Sequence, residues 1–219
     1  MSPTDLRPSL TLPGPWKAVV FDLDGLLVHT ERQWLQAKLE LFARHQRTLS
    51  DADKADVFGL ADLQTVTYFV QRFDLPAESI PAVQDEYIGV VGELIDRGVE
   101  LTAGATELVS ELHGRVPIAL ASNTRRSLVD RILAQTPFGH RFGAIATGDE
   151  VPPKPAPDVY RLACERIGAD PVSSVAVEDS PTGVKAAHAA GMSCIGVPSD
   201  ADHPLLEADH QVASLAALL

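Results

Sequence analysis

Trp16-Lys17-Ala18-Val19-Val20-Phe21-Asp22-Leu23-Asp24-Gly25 is a short apolar run that stops abruptly at two acids and a glycine. Runs of this length without polar alternation suit strands buried on both faces, as in parallel sheets. The same signature returns at Val116–Ala121, Phe142–Ala146, Ser174–Val177 and Met192–Val197. From residue 104 onward the gaps carry helical periodicity. Ala105, Leu108, Val109 and Leu112 repeat at i, i+3, i+4 and i+7, while Leu128, Val129, Ile132 and Leu133 form two i, i+4 pairs. A third stripe, Val159, Ala163 and Ile167, ends at Gly168. A fourth segment opens on Ser180-Pro181 and closes at Gly191, the order of N-cap, first-turn proline and terminal glycine that a helix favours. Five apolar runs alternating with helices predict an α/β fold built on a doubly wound, Rossmann-like parallel sheet.

Residues 32–99 break the alternation, because no strand-like run occurs there. Trp34, Leu35, Leu39, Leu41 and Phe42 give a helical stripe, and Val66–Phe73 and Val83–Ile95 give others. The reading is an all-helical domain over 32–99, inserted into an α/β core of 16–31 and 100–219 behind a flexible tail of 1–15.

The whole chain has 219 residues, 45% of them apolar and 22% charged, which is the composition of an ordinary globular protein and excludes collagen-like or disordered classes. Its 18 Lys+Arg against 30 Asp+Glu give a net charge of −12. That balance opposes a nucleic-acid or anionic-membrane partner, since both require a cationic face. No apolar run reaches the roughly 18–20 residues of a membrane span. The N-terminal residues hold Asp5, Arg7 and four prolines where a signal peptide would hold an apolar core. A cytoplasmic protein is expected, a monomer or weak dimer. Cys164 and Cys194 lack metal-type spacing and are expected as buried thiols.

In open α/β sheets ligands bind beyond the carboxyl ends of the strands, so the polar residues that end each run are the candidates. The first run ends in Asp22-Leu23-Asp24-Gly25. Residues i and i+2 of a strand share a face, so the two acids can address one reaction centre, and Gly25 permits a sharp turn. Taken alone, Asp-x-Asp-Gly also fits an ordinary turn. A calcium loop of the EF-hand type is excluded, because Leu26-Leu27-Val28 offers no ligands. The second run ends in Ser122-Asn123-Thr124, a hydroxyl and backbone amides near a helix start, where anions are favoured and where a plain helix cap is equally served. Lys154 stands among Pro152, Pro153, Pro155 and Pro157, which restrict its backbone and hold its ammonium in a fixed place. Glu178-Asp179 ends the fourth run. Two adjacent acids there suit a hard cation such as Mg²⁺, which takes one or two carboxylates, although Asp179 can also serve as a cap. Together these groups describe a site for a dianionic phosphoryl group, whose transfer depends on positioning and charge neutralisation.

The ordered segments Phe21–Glu31, Ala121-Ser122-Asn123, Lys154-Pro155-Ala156-Pro157-Asp158 and Val177–Gly183 resemble the haloacid dehalogenase superfamily, in its phosphatase and phosphosugar mutase branch, over about Lys17 to Val197. The resemblance implies that the helical insertion is a mobile cap with hinges near Leu27–Glu31 and Gly98–Gly104. It implies that Asp22 is the nucleophile and Asp24 the general acid and base, while Ser122, Asn123 and Lys154 bind the phosphate. It further implies Mg²⁺ held by Asp22, Glu178, Asp179 and the backbone carbonyl of Asp24, and a small phosphorylated metabolite as substrate. The second acid favours phosphate over halide. Trp34 and the neighbourhood of Asp62 lack the histidine and the basic residue that the sugar-phosphate mutases carry there, so a phosphatase is expected ahead of a mutase. His29 replaces an acid common in the family and lies in the hinge. A catalytically silent binding module is the third alternative, opposed by the intact set of site residues. Neither cysteine is followed by an arginine at phosphate-loop spacing, and no nucleotide loop or nucleophile elbow is present.

Overall fold

A computed structural model of the chain describes residues 14–57, 60, 62–198 and 207–219. The expected tail therefore lies outside the described residues, apart from Gly14 and Pro15. In chain order the described elements are β1 (Ala18–Phe21), β2 (Val28–His29), α1 (Glu31–Arg44), α2 (Asp51–Asp56), α3 (Asp62–Arg72), α4 (Ile80–Asp96), β3 (Glu100–Leu101) and α5 (Ala105–Leu112). They continue with β4 (Ile118–Ser122), α6 (Arg126–Leu133), β5 (Ala144–Thr147), α7 (Asp158–Arg166), β6 (Ser174–Glu178), α8 (Pro181–Ala190), β7 (Ser193–Gly196) and β8 (His210–Gln211).

These elements form two compact units, one of residues 1–29, 101–126 and 136–219 and the other of 30–100 with 127–135. The first is the α/β unit. Its six strands run in the order β5-β4-β1-β6-β7-β8, every pair parallel. All five apolar runs became strands. The sixth, β8, has two exposed polar residues at the sheet edge and carries no apolar signal. β1 lies at the centre because Ala18, Val19, Val20 and Phe21 are all buried, as a strand covered on both faces requires. On one face Val20, Ala119, Ala121, Ala146 and Ala176 meet Val159, Tyr160, Ala163 and Cys164 of α7 and Ala186, Ala187 and Ala190 of α8. Alanines on the strands and on α8 let helix and sheet backbones come close. Cys164 and Cys194 are free and buried, as expected. Among the described residues no helix is long and apolar enough to cross a membrane.

The second unit is helical. Phe42, Phe69 and Tyr87, from α1, α3 and α4, are fully buried and pack edge to face, with ring centroids 5.3 Å apart for Phe42–Phe69 and 5.4 Å for Phe69–Tyr87. The buried stripe of α1 is Ala37, Leu41 and Phe42. Leu35 and Leu39, assigned to that stripe by periodicity, are 42% and 39% exposed instead. The segment 127–135, which follows β4 in sequence, also groups with this unit. Within the unit Arg131 pairs with Asp96 at 2.8 Å, and the Gln135 amide donates to Ile95 O.

Asp53 is the buried charge of this unit. Its carboxylate accepts from Arg72 Nε at 2.5 Å, from Tyr68 OH at 2.6 Å and from Ser50 N at 2.8 Å, closing a capping box on α2. The Arg72 hydrogen bond holds the Asp53 carboxyl well below the usual carboxylate range. A depressed folded pKa gives stability that is present above the unfolded value of 3.8 and is lost as pH falls below it. Asp53→Asn is expected to destabilise the fold by about 2 kcal/mol at neutral pH, because Arg72 is half-exposed and can partly rehydrate. In denaturant titrations the gap between wild type and variant should narrow as the pH is lowered through 3.8.

Candidate active site

The register of the sheet assembles the site. Phe21 pairs with Val177, and Asp22 N donates to Val177 O at 3.0 Å, so Asp22 and Glu178 emerge side by side at the carboxyl ends of β1 and β6. On the other flank Phe21 pairs with Leu120, and β4 ends in Ser122. β1 thus has one polar side chain beside it from each neighbouring strand, at the end of the sheet where α/β proteins bind ligands.

Lys154 ties these strands together. Its Nζ lies 2.5 Å from Asp22 Oδ1 and 2.6 Å from Glu178 Oε1, and the three side chains are 4%, 10% and 0% exposed. The loop that delivers it is latched to β4 through Asn123. Lys154 N donates to Asn123 Oδ1 at 2.7 Å, and Asn123 Nδ2 donates to Lys154 O at 3.2 Å. Burial pushes the Asp22 carboxyl up; Lys154 opposes this, and Glu178, Asp179 and Asp24 push it up further. Burial alone would lower the Lys154 ammonium, but the Asp22 and Glu178 carboxylates outweigh it and hold the group above the usual lysine range. Asp22, Glu178 and Asp179 face one ammonium here, so the site carries more negative charge than Lys154 alone can balance.

Asp24 stands in a different environment. It follows the first acid by two residues, and Gly25 turns the chain with φ 84° so that Gly25 N meets Val28 O at 2.8 Å. Asp24 Oδ2 accepts from Thr124 Oγ1 at 2.9 Å and from Ser122 Oγ at 3.2 Å. One acid is bound by a cation and the other by two neutral hydroxyls. Such a difference is how adjacent carboxyls take separate roles in acid–base chemistry.

Glu178 is held at both oxygens. Oε1 accepts from Lys154 and, at 2.6 Å, from Tyr160 OH; Oε2 accepts from the backbone amides of Asp179 and Ser180 at 3.2 and 3.3 Å and from Ser180 Oγ at 3.1 Å. Ser180 Oγ also accepts from Gly183 N at 3.0 Å and so caps α8. Asp22, Glu178 and Asp179 each present a carboxylate oxygen, and the three lie within 4.8 Å of one another. An all-oxygen set of three carboxylates, with one lysine to balance them, fits a hard divalent cation.

The family model of haloacid dehalogenase-like hydrolases matches residues 16–191. The chain belongs to that family. Among its relatives, the Drosophila melanogaster protein named "Probable pseudouridine-5'-phosphatase" is 32% identical over 187 residues, covering 82% of this chain and 80% of its own. Hexitol phosphatase B of Escherichia coli (strain K12) is 30% identical over 207 residues, covering 92% and 93%. The crystal structure of CbbY from Rhodobacter sphaeroides in complex with phosphate superposes with a TM-score of 0.80 at 27% identity, covering 93% of this chain and 96% of that one.

Within this haloacid dehalogenase-like unit the sequence candidates Asp22, Asp24, Ser122, Asn123, Lys154, Glu178 and Asp179 all belong to the carboxyl-end cluster of the sheet. The Asn123 side chain is committed to the Lys154 backbone, and Thr124 N donates to Ser122 Oγ at 3.0 Å, so α6 begins only at Arg126, whose amide is capped by Asp149 Oδ1 at 3.1 Å. His29 is half-buried, with Nε2 3.5 Å from Thr102 Oγ1. Sequence reasoning missed the Thr124 hydroxyl and Tyr160. Thr124 offered only its backbone amide to that reading, and its side-chain bond to Asp24 crosses 100 residues. Tyr160 repeats with Ala163 and Cys164 at i, i+3 and i+4, a stripe that reads as core, and only its hydroxyl hints at a polar partner.

Gly183 is required by Glu178. A Cβ on residue 183 would fall inside the Glu178 carboxylate, whereas a Cβ on Gly89, inside α4, would meet nothing within 4 Å. Gly183→Ala is therefore expected to lower the unfolding midpoint by an amount equivalent to about 2–4 kcal/mol, the range of core disruption and of a displaced buried charge. Gly89→Ala should raise stability by about 0.5–1 kcal/mol, because alanine loses less backbone entropy in a helix. Thermal or urea unfolding of both variants checks the contrast.

Proposed function

We propose that this hydrolase is a Mg²⁺-dependent phosphomonoesterase of small phosphorylated metabolites, sugar phosphates among them, working through an aspartyl phosphate on Asp22. The observation that carries the reading is the pairing of Asp22 with Lys154 beside a second, hydroxyl-bound acid, Asp24. The phosphatase names of two relatives support it.

In this mechanism Asp22 supplies the attacking oxygen and forms the bond to phosphorus. Asp24 gives its proton to the departing alkoxide, then takes one from water as that water attacks the phosphoenzyme, which restores Asp22 and releases inorganic phosphate. The hydroxyls of Ser122 and Thr124 orient Asp24 until it acts. Lys154 and Ser122 hold phosphoryl oxygens, and Asn123 keeps Lys154 in place. Asp22, Glu178, Asp179 and the Asp24 carbonyl are the residues to hold Mg²⁺, which when bound supplies the positive charge that Lys154 alone does not. The helical unit is read as the cap that selects the substrate, a role supported by its own aromatic core and its insertion after β2. Trp34 and the Asp62 region, lacking the mutase histidine and basic residue, favour water over a second hydroxyl as acceptor.

Phosphate release across a panel of phosphorylated metabolites tests the reading. Turnover should vanish in excess chelator and return with Mg²⁺. Conversion of hexose 1-phosphate to 6-phosphate with almost no free phosphate would establish a mutase instead.

The two acids separate in rapid-quench experiments. Asp22→Asn should give no product and no protein phosphorylation. Asp24→Asn should lower steady turnover of alkyl phosphates about 10²–10⁴-fold, yet release a burst of about one nitrophenolate per site from p-nitrophenyl phosphate, whose leaving group needs no proton. A burst from Asp22→Asn, or a phosphoryl adduct on Asp24 of the wild type, would reverse the two assignments.

A further inference from the structure

Tyr160 is the largest side chain at the site with no part in the mechanism above. It is fully buried in the third position of α7, among Ala163, Cys164 and Cys194 of the sheet-facing core. A phenylalanine would fill that apolar space equally well. A buried hydroxyl costs free energy unless a partner answers it, and the partner here is Glu178 Oε1 at 2.6 Å. The ring has a second use. Lys154 Nζ lies 4.7 Å from its centroid, within the range in which an aromatic face attracts a cation.

One residue thus touches both charged groups, the carboxylate with its edge and the ammonium with its face. The rest of Glu178 is fixed from the opposite side by the Asp179 and Ser180 amides and by Ser180 Oγ, all on Oε2. On Oε1 the donors are Lys154 and Tyr160. Lys154 also serves Asp22, so its hydrogen bonds are shared, whereas Tyr160 OH is directed to Glu178 alone among its hydrogen bonds on that side. We propose that Tyr160 is a positioning residue of the phosphoryl-transfer site, fixing the Glu178 carboxylate as a metal ligand through its hydroxyl and confining the Lys154 ammonium beneath its ring. The inference rests on the phosphatase reading only for the identity of the metal.

Tyr160→Phe removes the hydroxyl and keeps the ring. Calorimetric titration with MgCl₂, without substrate, should show binding to the variant weakened about 10–100-fold, the usual effect of losing a group that orients a metal ligand. Turnover lost at low Mg²⁺ should return as Mg²⁺ is raised. Tyr160→Leu, which also removes the ring face, should in addition raise KM for the phosphate ester, because Lys154 is no longer confined. Thermal unfolding of each variant separates this from a structural role. A Tyr160→Phe protein whose Mg²⁺ affinity stays within twofold of wild type, whether or not its melting point falls, overturns the proposal; this comparison suffices if Tyr160→Leu does not fold. A wild type that binds Mg²⁺ but releases phosphate from no ester would overturn the phosphatase reading, and the calorimetric comparison would still decide the role of Tyr160.

Discussion

A lysine ammonium enclosed by two carboxylates is the constraint on which the α/β unit depends. Asp22, Lys154 and Glu178 are each at most one-tenth exposed, and they come from the central strand, a proline-bounded loop and the adjoining strand. Buried charges of this kind are tolerated only when each has a partner, and removing one partner costs about 3–5 kcal/mol because its mate stays behind uncompensated. The surrounding structure accordingly places donors on every oxygen of Glu178 and fixes the lysine loop through the Asn123 amide. Much of what looks like local detail, including the absence of a side chain at Gly183, follows from that requirement.

The same constraint creates reactivity. An ion triad complete in itself would be inert, but Asp179 and Asp24 add negative charge that Lys154 does not balance, and they raise the proton affinity of Asp22. An anionic substrate would be repelled from such a cluster unless a further cation entered. Lys154 holds Asp22 and Glu178 together by pairing with both. Ser122 and Thr124 hold the Asp24 side chain with neutral hydroxyls, where Lys154 holds Asp22 with a charge.

The helical unit solves a separate problem with a separate core. Phe42, Phe69 and Tyr87 interlock by edge-to-face contacts, and the buried Asp53 joins α2 to α3 through Arg72 and Tyr68. This unit carries its own aromatic centre and its own satisfied buried charge.

By itself the sequence determined five of the six strands and the order of the site segments at their ends. Apolar strands covered on both faces leave continuous Val, Ile, Leu and Ala runs, and the residues at their carboxyl ends must gather because parallel strands end together. It also determined the caps of α8, since Ser180, Pro181 and Gly191 act through local backbone geometry. Tertiary structure alone decided the rest. β8 pairs through backbone groups, which any residue supplies, so His210 and Gln211 carry no signal. Leu35 and Leu39 have the same hydropathy as Leu41 but stay partly exposed, a difference that hydropathy along the helix does not carry. Asn123 serves Lys154 across 31 residues, Thr124 serves Asp24 across 100, and Tyr160 serves Glu178 across 18. Such bonds depend on which strand ends become neighbours, and the identities of residues adjacent in sequence do not encode that distance.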